Sequence, residues 1–98
     1  MNITQVKDGK NLTLQIEGRI DSKTAPEMES VIREVIDGVE ELTIDMKDTV
    51  YISSAGLRVL LIAQKQMNRQ GNMKVIHVNE DIMEIFEVTG FADILTIA

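Results

Sequence analysis

The stretch 41-ELTIDMKDTVYISSAGLRVLL-61 contains the change of periodicity that decides the fold. In residues 41–47 apolar and polar side chains alternate, which predicts a β-strand. Residues 48–56 lack that alternation and predict an irregular connection. Residues 57–70 have the length and propensity of a helix, and Gly71 follows as a terminator. The stretch therefore predicts a strand–loop–helix unit, with two adjacent serines at the start of the helix.

The residues before this unit predict a β-hairpin and a helix. Residues 3–7 and 11–17 alternate in polarity around an Asp8-Gly9 turn signal. Apolar residues in 24–38 then recur at helical spacing. We expect Thr24 and Glu27 to form a capping box, Pro26 to lie in the first turn, and Gly38 to end the helix.

The residues after the unit predict two more strands around a helix. Residues 73–78 form an apolar run typical of a strand, and Asn79 is placed to cap a short helix that stops before Gly90. Residues 94–98 predict a last strand. The order β-β-α-β-α-β-α-β defines a single α/β domain over residues 1–98, in which helices pack on a mixed β-sheet.

Composition excludes several functions. Ten Lys and Arg residues against sixteen Asp and Glu give a net charge of −6, which disfavours binding to nucleic acid phosphates. The absence of cysteine excludes disulfides and thiolate metal sites. The first residues lack the features of a secretory signal, and the longest apolar run, 59–63, is too short to cross a bilayer. We therefore expect a cytoplasmic protein without a metal or cofactor.

The two adjacent serines, Ser53 and Ser54, admit three interpretations. Either is suited to cap the helix, because serine is a preferred N-cap residue. Either is also suited to be a phosphorylation switch, because a helix N-terminus accommodates added negative charge. A nucleophilic serine is the weakest interpretation, because the stretch lacks G-x-S-x-G and the only histidine, His77, lies in a predicted strand as a core or sheet-face residue.

The predicted helix 57–70 also carries three basic residues, Arg58, Lys65 and Arg69, close to one face. Such a row is usually a solvated surface. Beside a serine switch, the alternative is a ridge that docks a partner.

Three segments in this order resemble the STAS domain family, and within it the bacterial anti-sigma factor antagonists. They are 18-GRIDSKTAPEME-29, 42-LTIDMKDTVYISSAGLRVLL-61 and 85-IFEVTGFADIL-95. The resemblance implies a non-enzymatic switch protein. In such pathways the unphosphorylated antagonist binds an anti-sigma factor that is also a serine kinase, and so releases the sigma factor. The kinase then inactivates the antagonist by phosphorylating it, and a PP2C-type phosphatase reverses the modification.

The resemblance also assigns site residues. The family commonly has Asp-Ser-Ser/Thr-Gly-Leu where this chain has 53-SSAGL-57, which places the phosphoacceptor on Ser54, with Ser53 as the second choice. Asp21 matches the family's aspartate after the second strand and is expected beside this loop, with a simple turn residue as the alternative. Asp45 is expected to orient the loop by accepting backbone N–H bonds. The predicted partner surface comprises Asp21, Ser53, Ser54, Gly56, Leu57 and Arg58.

Two further function classes stay open at this level. A STAS module also serves as a fixed scaffold, for example as a subunit of a lipid-transport ABC system or of a signalling assembly. A small enzyme is the third class, and the absence of a catalytic motif disfavours it.

Overall fold

A computed structural model describes residues 1–98 and confirms the predicted α/β fold with a mixed sheet. No helix in it is both long and apolar enough to cross a membrane. The elements are β1 (Asn2–Asp8), β2 (Asn11–Ile20), α1 (Ala25–Val35), β3 (Glu41–Asp45), β4 (Thr49–Ile52), α2 (Ser54–Gln70), β5 (Asn72–Ile76), α3 (Glu80–Thr89) and a 3-10 turn (Phe91–Asp93).

The sheet is built around the long strand β2. The hairpin partner β1 pairs with it antiparallel, and β3 pairs parallel with its first half and with β5, in the order β1-β2-β3-β5. The short strand β4 pairs parallel with the last part of β2, at Gly18–Ile20. The C-terminal end of β2 therefore lies against β4 rather than β3.

A register shift between Gly18 and Arg19 gives β2 these two partners. Gly18 has a φ of 103°, a backbone conformation that residues with a side chain rarely adopt. Its amide donates a hydrogen bond to the Asp48 carbonyl at 3.0 Å. The buried Thr49 hydroxyl donates to the Ile16 carbonyl at 2.6 Å. These bonds attach the start of β4 to the bend in β2.

The core lies on one side of the sheet, between the strands and the helices. Alternate residues of β2 and β3, such as Leu14 and Ile44, are at most 1% exposed and point into it. They belong to a cluster of 23 buried apolar residues that also includes Leu60 of α2 and Phe86 of α3. The intervening residues of the strands are exposed or half-buried. The alternation in the sequence thus sets which sheet face the helices cover.

The structure corrects three boundaries predicted from the sequence. The connection 48–56 contains a strand, β4, that was not predicted. The two end residues of β4 are buried and the two middle ones, Val50 and Tyr51, are exposed, so buried and exposed residues do not alternate along it. Residues 94–98 form only a single parallel bridge, between Ile97 and Val75, instead of a strand. Helix α2 begins at Ser54, three residues earlier than predicted.

Two predictions about single residues, Gly38 and His77, are wrong. Helix α1 ends at Val35 with Ile36 as its C-cap, so Gly38, with a φ of 81°, lies in the turn that follows. His77 is outside β5, exposed, and has a φ of 58°. The predicted caps Gly71 for α2 and Asn79 for α3 are confirmed, and the Asn79 side chain accepts a bond from the Ile82 amide at 2.8 Å.

Gly56 determines how closely α2 approaches the sheet. A Cβ at this position would lie 2.5 Å from Ile20 Cγ2 and 2.7 Å from Ile52 Cγ1, at the ends of β2 and β4. Those distances are far below van der Waals contact. Only glycine lets the first turn of α2 rest on these two isoleucines.

We predict that Gly56→Ala destabilises the fold by about 1–3 kcal/mol, because the new methyl group overpacks the contact with Ile20 and Ile52. Urea unfolding measures the change. Ser54→Ala, an exposed change in the same turn, is the matched control and is expected to stay within about 0.5 kcal/mol of the parent. A Gly56→Ala protein as stable as the parent would contradict the packing argument, since alanine is otherwise favoured over glycine in a helix.

Candidate functional site at the ends of β2 and β4

Two loops leave the sheet side by side at one edge. Strands β2 and β4 run parallel with Ile20 opposite Ile52, so the residues that follow them, Asp21 and Ser53, emerge together. The Ser53 amide donates to the Ile20 carbonyl at 2.8 Å. The structure therefore brings the predicted Asp21 loop next to the predicted serine loop.

Asp21 and Thr24 form a reciprocal pair of hydrogen bonds of the capping-box type. The sequence predicted such a pair one turn further along the chain, between Thr24 and Glu27. The Asp21 carboxylate accepts from the Thr24 amide at 3.1 Å, and the Thr24 hydroxyl oxygen accepts from the Asp21 amide at 2.8 Å. Thr24 itself makes no side-chain cap to α1, so the Thr24–Glu27 capping box is wrong. Asp21 therefore acts both as a turn residue and as a member of the exposed edge.

Hydrogen bonds keep Asp21 ionised. Its carboxylate accepts from the amides of Thr24 and Lys23, and these bonds lower its pKa below the ordinary 3.8. Burial opposes these two backbone bonds with a smaller effect, and the Thr24 hydroxyl and the nearby Arg19 charge make the smallest contributions, both of which lower the pKa. This edge of the domain carries a fixed negative charge.

Arg19 and Tyr51 add a second feature beside Asp21 that the sequence analysis missed. Arg19 Nε lies 4.0 Å from Asp21 Oδ2, and its guanidinium stacks 4.5 Å from the centre of the Tyr51 ring. The two residues are register partners on β2 and β4. No local sequence signal pairs them, because their contact depends on how those two strands align.

Ser53 is the N-cap residue of α2 but does not cap it through its side chain. Its carbonyl accepts the first helical bond, from the Leu57 amide at 3.0 Å. Its Oγ is buried and has no hydrogen-bond partner. The capping interpretation thus holds for the position of Ser53 and fails for its hydroxyl.

Ser54 is the exposed first residue of α2, and its hydroxyl forms no hydrogen bond within the chain. The amides of Ser54, Ala55 and Gly56 precede the first helical bond and have no partner within the helix. These amides lie at the N-terminal end of α2, where the helix dipole is positive. The Ser54 hydroxyl therefore lies in a region that favours negative charge.

The remaining residues of the predicted partner surface divide into buried and exposed. Gly56 and Leu57 are buried, Leu57 to 5% exposure, and support the loop from below; their contact with a partner stays a prediction. Arg58 is exposed and forms no ion pair with an acidic residue. Lys65 and Arg69 of the predicted basic row are exposed as well.

Asp45 orients the connection between β3 and β4 rather than the serine loop, so the prediction that it orients the serine loop is wrong. Its carboxylate accepts from the Lys47 amide at 3.0 Å and contacts His77 Nδ1 at 2.8 Å. The Asp45 side chain is only 12% exposed, and this burial by itself raises its pKa. The hydrogen bonds from His77 and Lys47, with the charges of those residues, outweigh burial and lower the pKa of Asp45.

The side chains at this edge supply hydroxyl, carboxylate and guanidinium groups. Neither serine hydroxyl has a side chain within hydrogen-bond distance to act as a base. No group of three or more His, Asp or Glu side chains is arranged to hold a metal ion. The edge has an exposed hydroxyl, that of Ser54, on the same helix as the exposed Arg58 and beside the strand end that carries Asp21.

The architecture is that of a small α/β domain with a mixed sheet and a serine loop at the start of α2. The STAS domain model matches residues 2–98, and the chain belongs to the STAS domain family. It is 32% identical to the anti-sigma-B factor antagonist of Bacillus subtilis, over 100% of this chain and 93% of that protein. It is 30% identical to the anti-sigma-B factor antagonist of Listeria monocytogenes, over 99% of this chain and 90% of that protein.

Solved structures share the fold. An anti-sigma factor antagonist from Mycobacterium paratuberculosis superposes with a TM-score of 0.89 at 21% identity, over 98% of this chain and 83% of that one. The Bacillus cell fate determinant SpoIIAA in its phosphorylated form superposes with a TM-score of 0.76 at 12% identity, over 99% of this chain and 91% of that one. At these identities the likeness concerns the fold.

The lowered pKa values of Asp21 and Asp45 predict how stability depends on pH. Each folded pKa lies below 3.8, so each carboxylate stabilises the fold above that pH. The contribution is lost as pH falls through the lowered pKa, because the unfolded chain binds the proton first. Asp21→Asn and Asp45→Asn should each flatten the rise of unfolding free energy with pH in this acidic range.

Urea unfolding at a series of pH values, from neutral to below 3.8, measures these slopes. Asp93→Asn is the control, because the Asp93 side chain is exposed and forms no ion pair. Variant slopes equal to that of the parent would show that these hydrogen bonds do not hold the carboxylates ionised.

Proposed function

We propose that this chain is an anti-sigma factor antagonist controlled by phosphorylation of Ser54. In its unphosphorylated form it binds an anti-sigma factor that is also a serine kinase, so that the sigma factor is released. Phosphorylation by that kinase inactivates it, and a PP2C-type phosphatase restores it. The single observation that carries this proposal is the exposed, unbonded Ser54 hydroxyl on the first turn of α2, at the same edge as Asp21.

The comparisons support the antagonist role. The relatives from Bacillus subtilis and Listeria monocytogenes are named antagonists and match over nearly the whole chain. A structural neighbour with the same fold, the Bacillus cell fate determinant SpoIIAA, has been solved in a phosphorylated form. On this basis we propose a cytoplasmic protein that works by binding rather than by catalysis.

Accessibility favours Ser54 over Ser53 as the acceptor. A kinase must bring the γ-phosphate in line with the attacking hydroxyl oxygen, which requires that oxygen to be reachable. Ser54 is exposed, whereas Ser53 Oγ is buried behind the loop. Modification of Ser53 would first require the start of α2 to open.

The switch we propose is electrostatic and local. A phosphate brings about −1.5 to −2 charges to a surface that already has Asp21 at its side, in a chain of net charge −6. The free amides at the start of α2 accept that charge without loss of the helix. The partner, in contrast, meets new charge and bulk where it packed against a neutral hydroxyl.

We predict that the chain's genome-neighbour serine kinase, given ATP and magnesium, adds phosphate to Ser54. Tandem mass spectrometry locates the phosphate, and Ser54→Ala should abolish it while Ser53→Ala leaves it. Phosphate on Ser53 would keep the switch but move the acceptor by one residue. No phosphate on either serine, from a kinase active on another substrate, would favour the fixed scaffold instead.

We further predict that Ser54→Asp weakens binding to that kinase about 5- to 150-fold, the usual range of a coupling free energy of about 1–3 kcal/mol. Isothermal titration calorimetry measures the dissociation constant. Ser30→Asp is the matched control, because Ser30 is an exposed serine on α1, away from this edge. Equal affinities for the parent and the Ser54→Asp protein would refute the electrostatic switch.

A further inference from the structure

Helix α3 exposes one large apolar side chain on the face turned away from the core, next to a half-buried one that packs partly against the core. Its buried residues are Ile82 and Phe86, which fix the inner face. Val88 lies on the opposite side of the helix and is 80% exposed, the largest exposure among the chain's exposed large apolar residues. Half-buried Ile85 is three residues before it, so the two form a short apolar strip.

Acidic residues surround this strip. Glu80, Asp81, Glu84 and Glu87 are all exposed, and none forms an ion pair. Residues 75–98 contain no lysine or arginine. The outer face of α3 is therefore uniformly negative.

Helix stability does not account for this pattern. Glu80 and Asp81 are in the first turn, where the helix dipole favours negative charge. Glu84 lies three or four residues from Glu80, Asp81 and Glu87, so these like charges repel along one side. Glu87 is in the last turn, where the dipole disfavours it. A partner of opposite charge would relieve both effects.

The strip and its acids together form a shallow groove of about 270 Å³. Asp81, Glu84, Ile85, Val88 and Thr89 line it. An arginine side chain matches it in two ways: its aliphatic stem covers apolar surface, and its guanidinium bonds a carboxylate in a planar pair. A lysine provides the stem and a single point charge.

We propose that the outer face of α3 docks a basic amphipathic helix of a protein partner, with arginine stems on Ile85 and Val88 and guanidinium groups on Asp81 and Glu84. A second copy of α3 would bring acid against acid, and an anionic lipid surface would be repelled. The inference does not rest on the proposed function, because the groove contains no residue of the serine edge.

The test is a titration of the full, isotope-labelled chain with a defined probe, followed by NMR amide shifts. The probe is a synthetic helical peptide of about 15 residues, with leucines on one face and arginines along its flanks. Its control has glutamate in place of every arginine. We expect the arginine peptide to shift the amides of 80–89 and the glutamate peptide to leave them unchanged.

Matched variants separate this groove from general acidity. Glu84→Gln and Val88→Ser should each weaken binding of the arginine peptide about 3- to 10-fold, since each removes one half of the contact. The controls are Glu34→Gln on α1 and Val50→Ser on β4, two exposed residues of the same types, and they should change affinity less than about 2-fold.

Three outcomes would overturn the proposal. The first is a set of shifts spread over other acidic surfaces. The second is equal affinity of the arginine peptide for the parent, Glu84→Gln and Val88→Ser proteins. The third is a response of the α3 amides to phosphatidylcholine vesicles without a response to the peptide, which would assign the strip to a lipid surface.

Discussion

The contact of Gly56 with Ile20 and Ile52 is the constraint on which the rest of the structure depends. It lets the first turn of α2 rest on the ends of two parallel strands, where a single methyl group would not fit. Because those two strands pair in parallel with Ile20 opposite Ile52, the serine loop and the Asp21 loop share one edge. The same contact buries Leu57 and leaves Ser54 and Arg58 outside. Packing thus decides which residues a partner can reach.

The two adjacent serines have different roles because of that packing. Ser53 follows β4 directly, and its amide is committed to the Ile20 carbonyl, so its side chain is drawn under the loop. Ser54, one residue later, is the first residue of the helix and faces solvent. One hydroxyl is enclosed and the other is open to solvent, a difference that residue type alone does not reveal.

Much of the fold was predictable from local patterns. The hairpin at Asp8-Gly9, the inward faces of β2 and β3, and the Asn79 cap each depend on a few neighbouring residues. Strand β4 was not predictable, because its pairing depends on a bend in β2 that lies some thirty residues away in sequence, and its exposed Val50 and Tyr51 break the alternation. The cap was misplaced by one turn because Thr24 fits two motifs, and only the structure selects Asp21 as its partner. At the candidate site, the position of the serine loop was predictable from the sequence. Which of its two serines is exposed was not, because that depends on how the start of α2 packs on the sheet.

The central claim is that phosphate at Ser54 repels the partner through charge, without a change of fold. The most direct test is to measure the dissociation constant of the genome-neighbour kinase for the phosphorylated and unphosphorylated chain at two ionic strengths. Between about 0.1 M and about 1 M salt, the screening length falls from roughly 10 Å to roughly 3 Å. If charge separates the two forms, we expect the affinity difference between them to shrink markedly at high salt. A difference that is the same at both salt concentrations would contradict it and would indicate that bulk or a structural change, rather than charge, separates the two states.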